Sequence, residues 1–423
     1  MKTNTLATRA FLLISFVVLM ACQPSDQKKT LIQSGVSKLM ADERKSNLTE
    51  IHYDLHFTVP KQRQAPILAM EKAKFNLQKV DDDLLLDFSA ETDHIKQIRV
   101  NGKTIDIQHE NEHIVLPAQY LQKGGNTIEI DFIAGDLSLN RNDDYLYTLL
   151  VPDRARTLFP CFDQPNLKAS YALQLTIPRE WEALASMPVI KQDQKNDTNT
   201  FTFGKSPKMS SYLFSFVAGV FQKVENEGQD FPMTMLYREI DSTKVSYSKN
   251  AIFKLHKDAI DYLEDYTQTP FPFPKLDFAC IPGFQYGGME HIGAIQYRED
   301  ALMLDESATE NRLLGRAKLI AHETAHMWFG NLVTMDWFND VWMKEVFANF
   351  MADKIVNPAF PQINHNLAFM VAHYPRAYGE DRTLGTNPIR QTLDNLNNAG
   401  SVYGSIIYSS FAPSIYGFPR SNI

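Results

Sequence analysis

Cysteine is scarce in this 423-residue chain: only Cys22, Cys161 and Cys280 occur. One possible bridge between the last two is not a disulfide framework, so Cys161 and Cys280 are read as two buried free thiols. A basic surplus is also lacking, because 42 Lys and Arg stand against 50 Asp and Glu for a net charge of −8. With nothing to neutralise a phosphate backbone, nucleic acid is excluded as a partner. The N-terminal apolar run, residues 10–20, is too short to span a bilayer as a helix and has the length of a signal peptide. Beyond these absences, 44% hydrophobic and 22% charged residues describe a globular protein with material for two or three domains.

Lys2 and Arg9 give the apolar run a positive flank, so residues 1–21 read as a signal peptide of the lipoprotein type. The run closes on Leu19-Met20-Ala21-Cys22, which resembles the lipobox of bacterial lipoproteins. That resemblance implies an exported protein whose Cys22 is lipidated and holds it to a membrane of the cell envelope. Gln23 after the cysteine points to the outer membrane if the envelope is Gram-negative. A plain secretory signal with a coincidental cysteine is the alternative. Residues 22–47, rich in Gln, Lys, Ser and Asp, are expected to be a tether.

From Ile51 the pattern alternates, with Ile51, Tyr53, Leu55, Phe57 and Val59 on one side of a strand. Residues 98–107 are two short strands around Asn101-Gly102, a strong hairpin signal. Further strands are expected at 127–132, 171–177, 201–203 and 212–217, and together they predict an antiparallel β domain over residues 48–226. Within it, residues 152–165 carry three prolines and no periodicity. They are read as a loop that holds this domain against its neighbour.

The period changes near Ser248: Ile252, Leu255, Ala259, Tyr262, Leu263 and Tyr266 recur at helical spacing until Pro270. A buried strand is expected at 276–282, followed by Gly287-Gly288-Met289-Glu290-His291. The paired glycines suit a place where another backbone comes close. Glu290 beside them could bind a peptide's α-ammonium, or it is an exposed glutamate after a glycine turn. His291 is assigned a packing role.

Residues 322–326 read His-Glu-Thr-Ala-His. On a helix, expected over 311–329, His322 and His326 share one face and can share one ion, while Glu323 reaches a water without ligating the metal. An ordinary surface helix with two histidines is the alternative. A second helix, capped by Asn339 or Asp340 and running to Val356, carries Glu345 after a gap of eighteen residues. His322, His326 and Glu345 then make the three protein ligands of a catalytic zinc site, with a fourth position open.

The His322-Glu323-x-x-His326 motif, the eighteen-residue gap to Glu345, Gly-Gly-Met-Glu at 287–290 and the stretches 159–165 and 328–334 together resemble the M1 family of zinc aminopeptidases, gluzincins of the aminopeptidase N type. The resemblance runs from about residue 48 to Tyr408. It implies an α+β protein: a saddle-like antiparallel β domain, then a thermolysin-like catalytic domain over 227–423. It also implies one zinc ion, Glu323 as general base, and Tyr408 as donor to the oxyanion. Glu290 becomes the anchor of the substrate's α-ammonium beside Gly287, Gly288 and Met289. Peptides with free N-termini would be the substrates. From the residues alone, a core aromatic in an apolar run is the alternative for Tyr408. Three departures stand out: His291 where the family has Asn, Leu149 where a polar residue helps hold the amine, and only fifteen residues after Tyr408. The catalytic domain is therefore expected to be incomplete, which leaves a non-catalytic zinc-binding fragment as an alternative. A thermolysin-like endopeptidase is the other. Oligomeric state and side-chain preference are not encoded in any of these motifs.

Overall fold

Leu48–Thr58 is the strand around which the first half is built. Its alternation puts Ile51, Tyr53, Leu55 and Phe57 into the core, all nearly inaccessible to solvent. The structure is a computed structural model and describes residues 32–226, 231–404 and 407–408. The signal segment, Cys22, the first part of the expected tether and the tail after Tyr408 lie outside the described residues.

The strand lies fourth in an eight-stranded sheet whose order is Val189–Gln194, Thr198–Phe203, Ser170–Pro178, Leu48–Thr58, Leu68–Leu77, Gly124–Ile133, Ile95–Val100 and Lys103–Ile105. The Asn101-Gly102 hairpin forms as expected, with φ of 51° and 82° at the two turn residues. Pairing is antiparallel except at one place: Leu48–Thr58 and Ser170–Pro178 run parallel, with His52 opposite Ser170. Alternation fixes which face of a strand is buried but not which strand lies beside it. The expected strand at 212–217 is displaced. Ser211–Leu213 is a 3-10 turn, pinned by Ser211 Oγ donating to Asp163 Oδ1 at 2.5 Å, and the strand is Phe216–Gly219.

The tether expected over 22–47 is corrected for its last ten residues, which form helix α1, Lys38–Asn47. Ser37 caps it, accepting from Met40 N at 3.2 Å. Its anchor is Arg44, buried against Asp87 through two bonds of 2.7 and 2.5 Å, while His113 Nδ1 meets the same carboxylate at 2.8 Å. Burial raises the Asp87 carboxyl, but Arg44 and His113 outweigh it and hold it well below the usual carboxylate range. A polar composition thus concealed a segment whose charges are used inside the fold.

The second half is a five-stranded mixed sheet under helices. Its strand order is Gln222–Glu225, Thr234–Tyr237, Phe278–Ile281, Ile295–Arg298 and Gly288–Met289, so Gly288–Met289 is an edge. Helix α2, Ser242–Thr267, starts six residues before the expected change of period, because Asp241 Oδ1 accepts from Thr243 N at 2.9 Å. After the short α3, Glu299–Leu302, come α4, Glu310–Ala325, α5, Trp342–Val356, and α6, His365–Asp381. α4 ends four residues earlier than expected, with His326 still right-handed at its C-cap. α5 does not use Asn339 or Asp340 as a cap. Phe338–Asp340 is a 3-10 turn, and Asp340 instead receives Arg390 Nε at 2.7 Å.

The loop 152–165 does join the two halves. Arg156 reaches Asn397 Oδ1 at 2.6 Å, and just beyond it Asn166 Nδ2 donates to Asp336 Oδ1 at 2.9 Å. From Gln33 onward the described residues form one compact unit with a continuous apolar core. Cys161 and Cys280 are both buried and free. Among the described residues, no helix is long and apolar enough to cross a membrane.

Candidate active site

α4 and α5 pack against each other, and the site lies where the last turn of α4 meets the first turn of α5. His326 Nδ1 lies 3.0 Å from the Phe329 carbonyl oxygen. Donation of its N–H to that carbonyl leaves Nε2 as a lone pair. The Nε2 atoms of His322 and His326 are 3.0 Å apart, and Glu345 Oε2 lies 3.5 and 3.6 Å from them. Donors around a tetrahedral zinc stand about 3.3 Å apart at ordinary bond lengths. Three ligand atoms therefore converge at the right mutual spacing, and the residues fit a zinc ion.

Glu290 follows the edge strand Gly288–Met289, which is registered on Ile295–Arg298 with Gly288 opposite Tyr297. Asn331, just past α4, fixes it by donating from Nδ2 to the Glu290 carbonyl at 2.8 Å. Its carboxylate, with Glu323 and His326, forms a second group whose ligand atoms lie within 4.8 Å of one another. With two carboxyls and a single ring, this is a poorer zinc site than two rings and one carboxylate. Lys344 Nζ lies 2.5 Å from Glu290 Oε1 and 2.9 Å from Glu345 Oε1. The lysine is buried, and its ammonium sits 5.6 Å from the centre of the Tyr212 ring.

Burial pushes the Glu323 carboxyl up to about 8; His322 opposes the shift, and Glu290 and Glu345 add to it. Glu290 goes the other way. Burial raises it, but the Lys344 ammonium and His326 hold it down at about 2. Gly288 is what lets Glu323 lie where it does, because a Cβ there would come within 2.6 Å of Glu323 Cγ and Cδ. Within the chain, the space that Gly288 leaves is taken by the Glu323 side chain; Gly287 is less tight, with its nearest neighbour a Leu319 methyl at 3.1 Å.

Tyr408 is half-buried, and its main-chain carbonyl accepts from Asn349 Nδ2 at 2.9 Å. Burial pushes its phenol well above the ordinary tyrosine range, with Glu345 next in effect, which places the hydroxyl in the field of this site. His291 is wholly buried, and burial lowers it to about 4. It joins no metal-ligand group among the described residues. Leu149 is buried in the core. The sequence reading missed Lys344, Asn331, Tyr212 and Tyr403, whose phenol also lies in the field of Lys344 and Glu345. A signal for Lys344 existed: a cation directly before a proposed metal-ligating glutamate.

Two histidines at the end of one helix, His322 on its last turn and His326 at its C-cap, a glutamate on the first turn of the next and a free carboxyl beside them define a gluzincin-type metal site. Two family models match the chain in order: the peptidase M1 N-terminal domain over residues 49–213 and the peptidase family M1 domain over 252–412. The chain belongs to peptidase family M1. It is similar to a leucyl aminopeptidase of Saccharolobus solfataricus, 31% identical over 327 residues, covering 75% of this chain and 41% of that protein. A probable aminopeptidase 1 of Sulfurisphaera tokodaii is 32% identical over 329 residues, with the same two shares of 75% and 41%. A glutamyl aminopeptidase of Homo sapiens is 37% identical over 264 residues, covering 61% of this chain and 27% of its own. The chain thus spans well under half the length of these relatives.

Proposed function

We propose that this chain is a zinc-dependent aminopeptidase that hydrolyses the N-terminal peptide bond of peptides. The observation that carries the reading is the convergence of His322 Nε2, His326 Nε2 and Glu345 Oε2 beside the free carboxyl of Glu323. His322, His326 and Glu345 would hold one zinc ion, which when bound supplies a Lewis acid that makes water a nucleophile at neutral pH. Glu323 takes the proton of the attacking water and returns it to the leaving amine nitrogen as the C–N bond breaks. Gly288–Met289, as a sheet edge, offers backbone groups to an extended substrate. Glu290 receives the substrate's α-ammonium, and the Tyr408 phenol, held protonated, donates to the oxyanion.

The test is zinc content and turnover of the purified full chain, comparing Leu-p-nitroanilide with its N-acetylated form. One equivalent of zinc with faster hydrolysis of the free amine is expected. Zinc without hydrolysis overturns the enzyme reading in favour of a zinc-binding fragment, and equal rates favour an endopeptidase. The N-terminal segment supports a further proposal, export and membrane attachment through lipid on Cys22, on the strength of Lys2, Arg9, the apolar run and Leu19-Met20-Ala21-Cys22.

A further inference from the structure

Glu290 does not stand open. Its Oε1 is already bonded by an internal ammonium, Lys344 Nζ at 2.5 Å, and both residues are buried. The same Nζ bonds Glu345 Oε1 at 2.9 Å and faces the Tyr212 ring. With two carboxylates and a ring face around it, Nζ is satisfied where it is. A peptide's α-ammonium arriving at Glu290 therefore meets a like charge held on the same carboxylate, and the two must share it or Lys344 must withdraw. Like charges at such range in a water-poor site oppose each other strongly.

We infer that Lys344 is a specificity-determining residue: its ammonium is a built-in competitor for the amine seat at Glu290, and it weakens this protein's selection of free N-termini. The inference rests on the reading of Glu290 as that seat. A merely structural ion pair makes a different prediction, since its loss would lower stability without changing which ligands bind.

Leucinol and N-acetyl-leucinol are suitable probes, because neither contains a hydrolysable bond to an N-terminal residue and they differ in the ammonium. Binding to the full chain is measured by titration calorimetry, in both zinc-loaded and zinc-free protein. In Lys344→Met, leucinol is expected to bind about tenfold or more tightly than in wild type, the range of a charge-assisted hydrogen bond, with N-acetyl-leucinol unchanged. Unchanged or weaker leucinol binding in a folded variant overturns the inference. Lys344→Gln, which keeps hydrogen-bond donors for the two carboxylates, is the second variant should the first not fold, with the same direction expected. Wild type is itself decisive. A preference for leucinol over N-acetyl-leucinol below about tenfold is expected, and a larger one overturns the competitor role. Failure to take up zinc would refute the peptidase reading alone, because the comparison is also read in zinc-free protein.

Discussion

Gly288→Ala is the smallest change that tests whether Glu323 acts from its observed position. The added methyl would lie 2.6 Å from Glu323 Cγ and Cδ, where ordinary contact begins at 3.4 Å. Glu323 Oε1 lies closer still, so Glu323 must retreat by about 1 Å, and it cannot do so freely, since it is 4% exposed and lies on the last turn of α4. Displacement of a catalytic group by about 1 Å costs on the order of 100-fold in rate. The three atoms nearest that methyl all belong to Glu323 and none to His322, His326 or Glu345, so zinc content should be unchanged. The expected result is a kcat lower by about two orders of magnitude at one equivalent of zinc, with Gly287→Ala, whose clash is with a flexible leucine methyl, affected less. Turnover within threefold of wild type in Gly288→Ala, at full zinc content, would refute the assignment of Glu323 as the base.

Glu323→Gln should keep zinc and lose about 100- to 10,000-fold in kcat; a variant that loses its zinc would show that Glu323 is a ligand. Glu71 points into the core, with neither carboxyl oxygen hydrogen-bonded, and burial raises it well above the usual range. A carboxyl raised on folding contributes least penalty below its unfolded value and destabilises progressively as pH rises above it, by about 1.4 kcal/mol per pH unit until the folded value is reached. Glu71→Gln should therefore raise the melting temperature more at pH 8 than at pH 5, and a pH-independent change in thermal unfolding would count against this. Cys22→Ala should abolish incorporation of labelled palmitate in cells; undiminished labelling would place the lipid elsewhere.

What was legible in the sequence was what local spacing dictates. His322, His326 and Glu345 could be placed because four residues on a helix make one face, and an eighteen-residue gap brings a second helix back to it. The alternation from Ile51 gave the buried face of the central strand, but its parallel partner Ser170–Pro178 is more than a hundred residues away, and nothing local encodes that pairing. Helix α1 was hidden because its anchor is an arginine, and burial of Arg44 is possible only through Asp87 and its neighbours, which lie on other strands. Gly288 was recognised as a close approach, yet the group that needs the space, Glu323, sits 35 residues on, at the end of another element.

Lys344 shows most clearly why a site is not the sum of its motif. Adjacent residues on a helix point about 100° apart, so spacing argues that Lys344 and Glu345 should face different surroundings. They do not, because the lysine stem is long enough to carry its ammonium back across the first turn of α5 and between two carboxylates. An unpaired Glu290 and Glu345 buried in one cleft would repel each other and resist ionisation. Lys344 removes that repulsion by bonding Glu345 Oε1, while Oε2 lies 3.5 and 3.6 Å from the two histidine nitrogens. The cation that makes the carboxylates tolerable in the core therefore also occupies the charge by which a free N-terminus would be recognised. In this site, stability of the donor set and selection for the substrate's amine draw on the same ion pair in opposite directions.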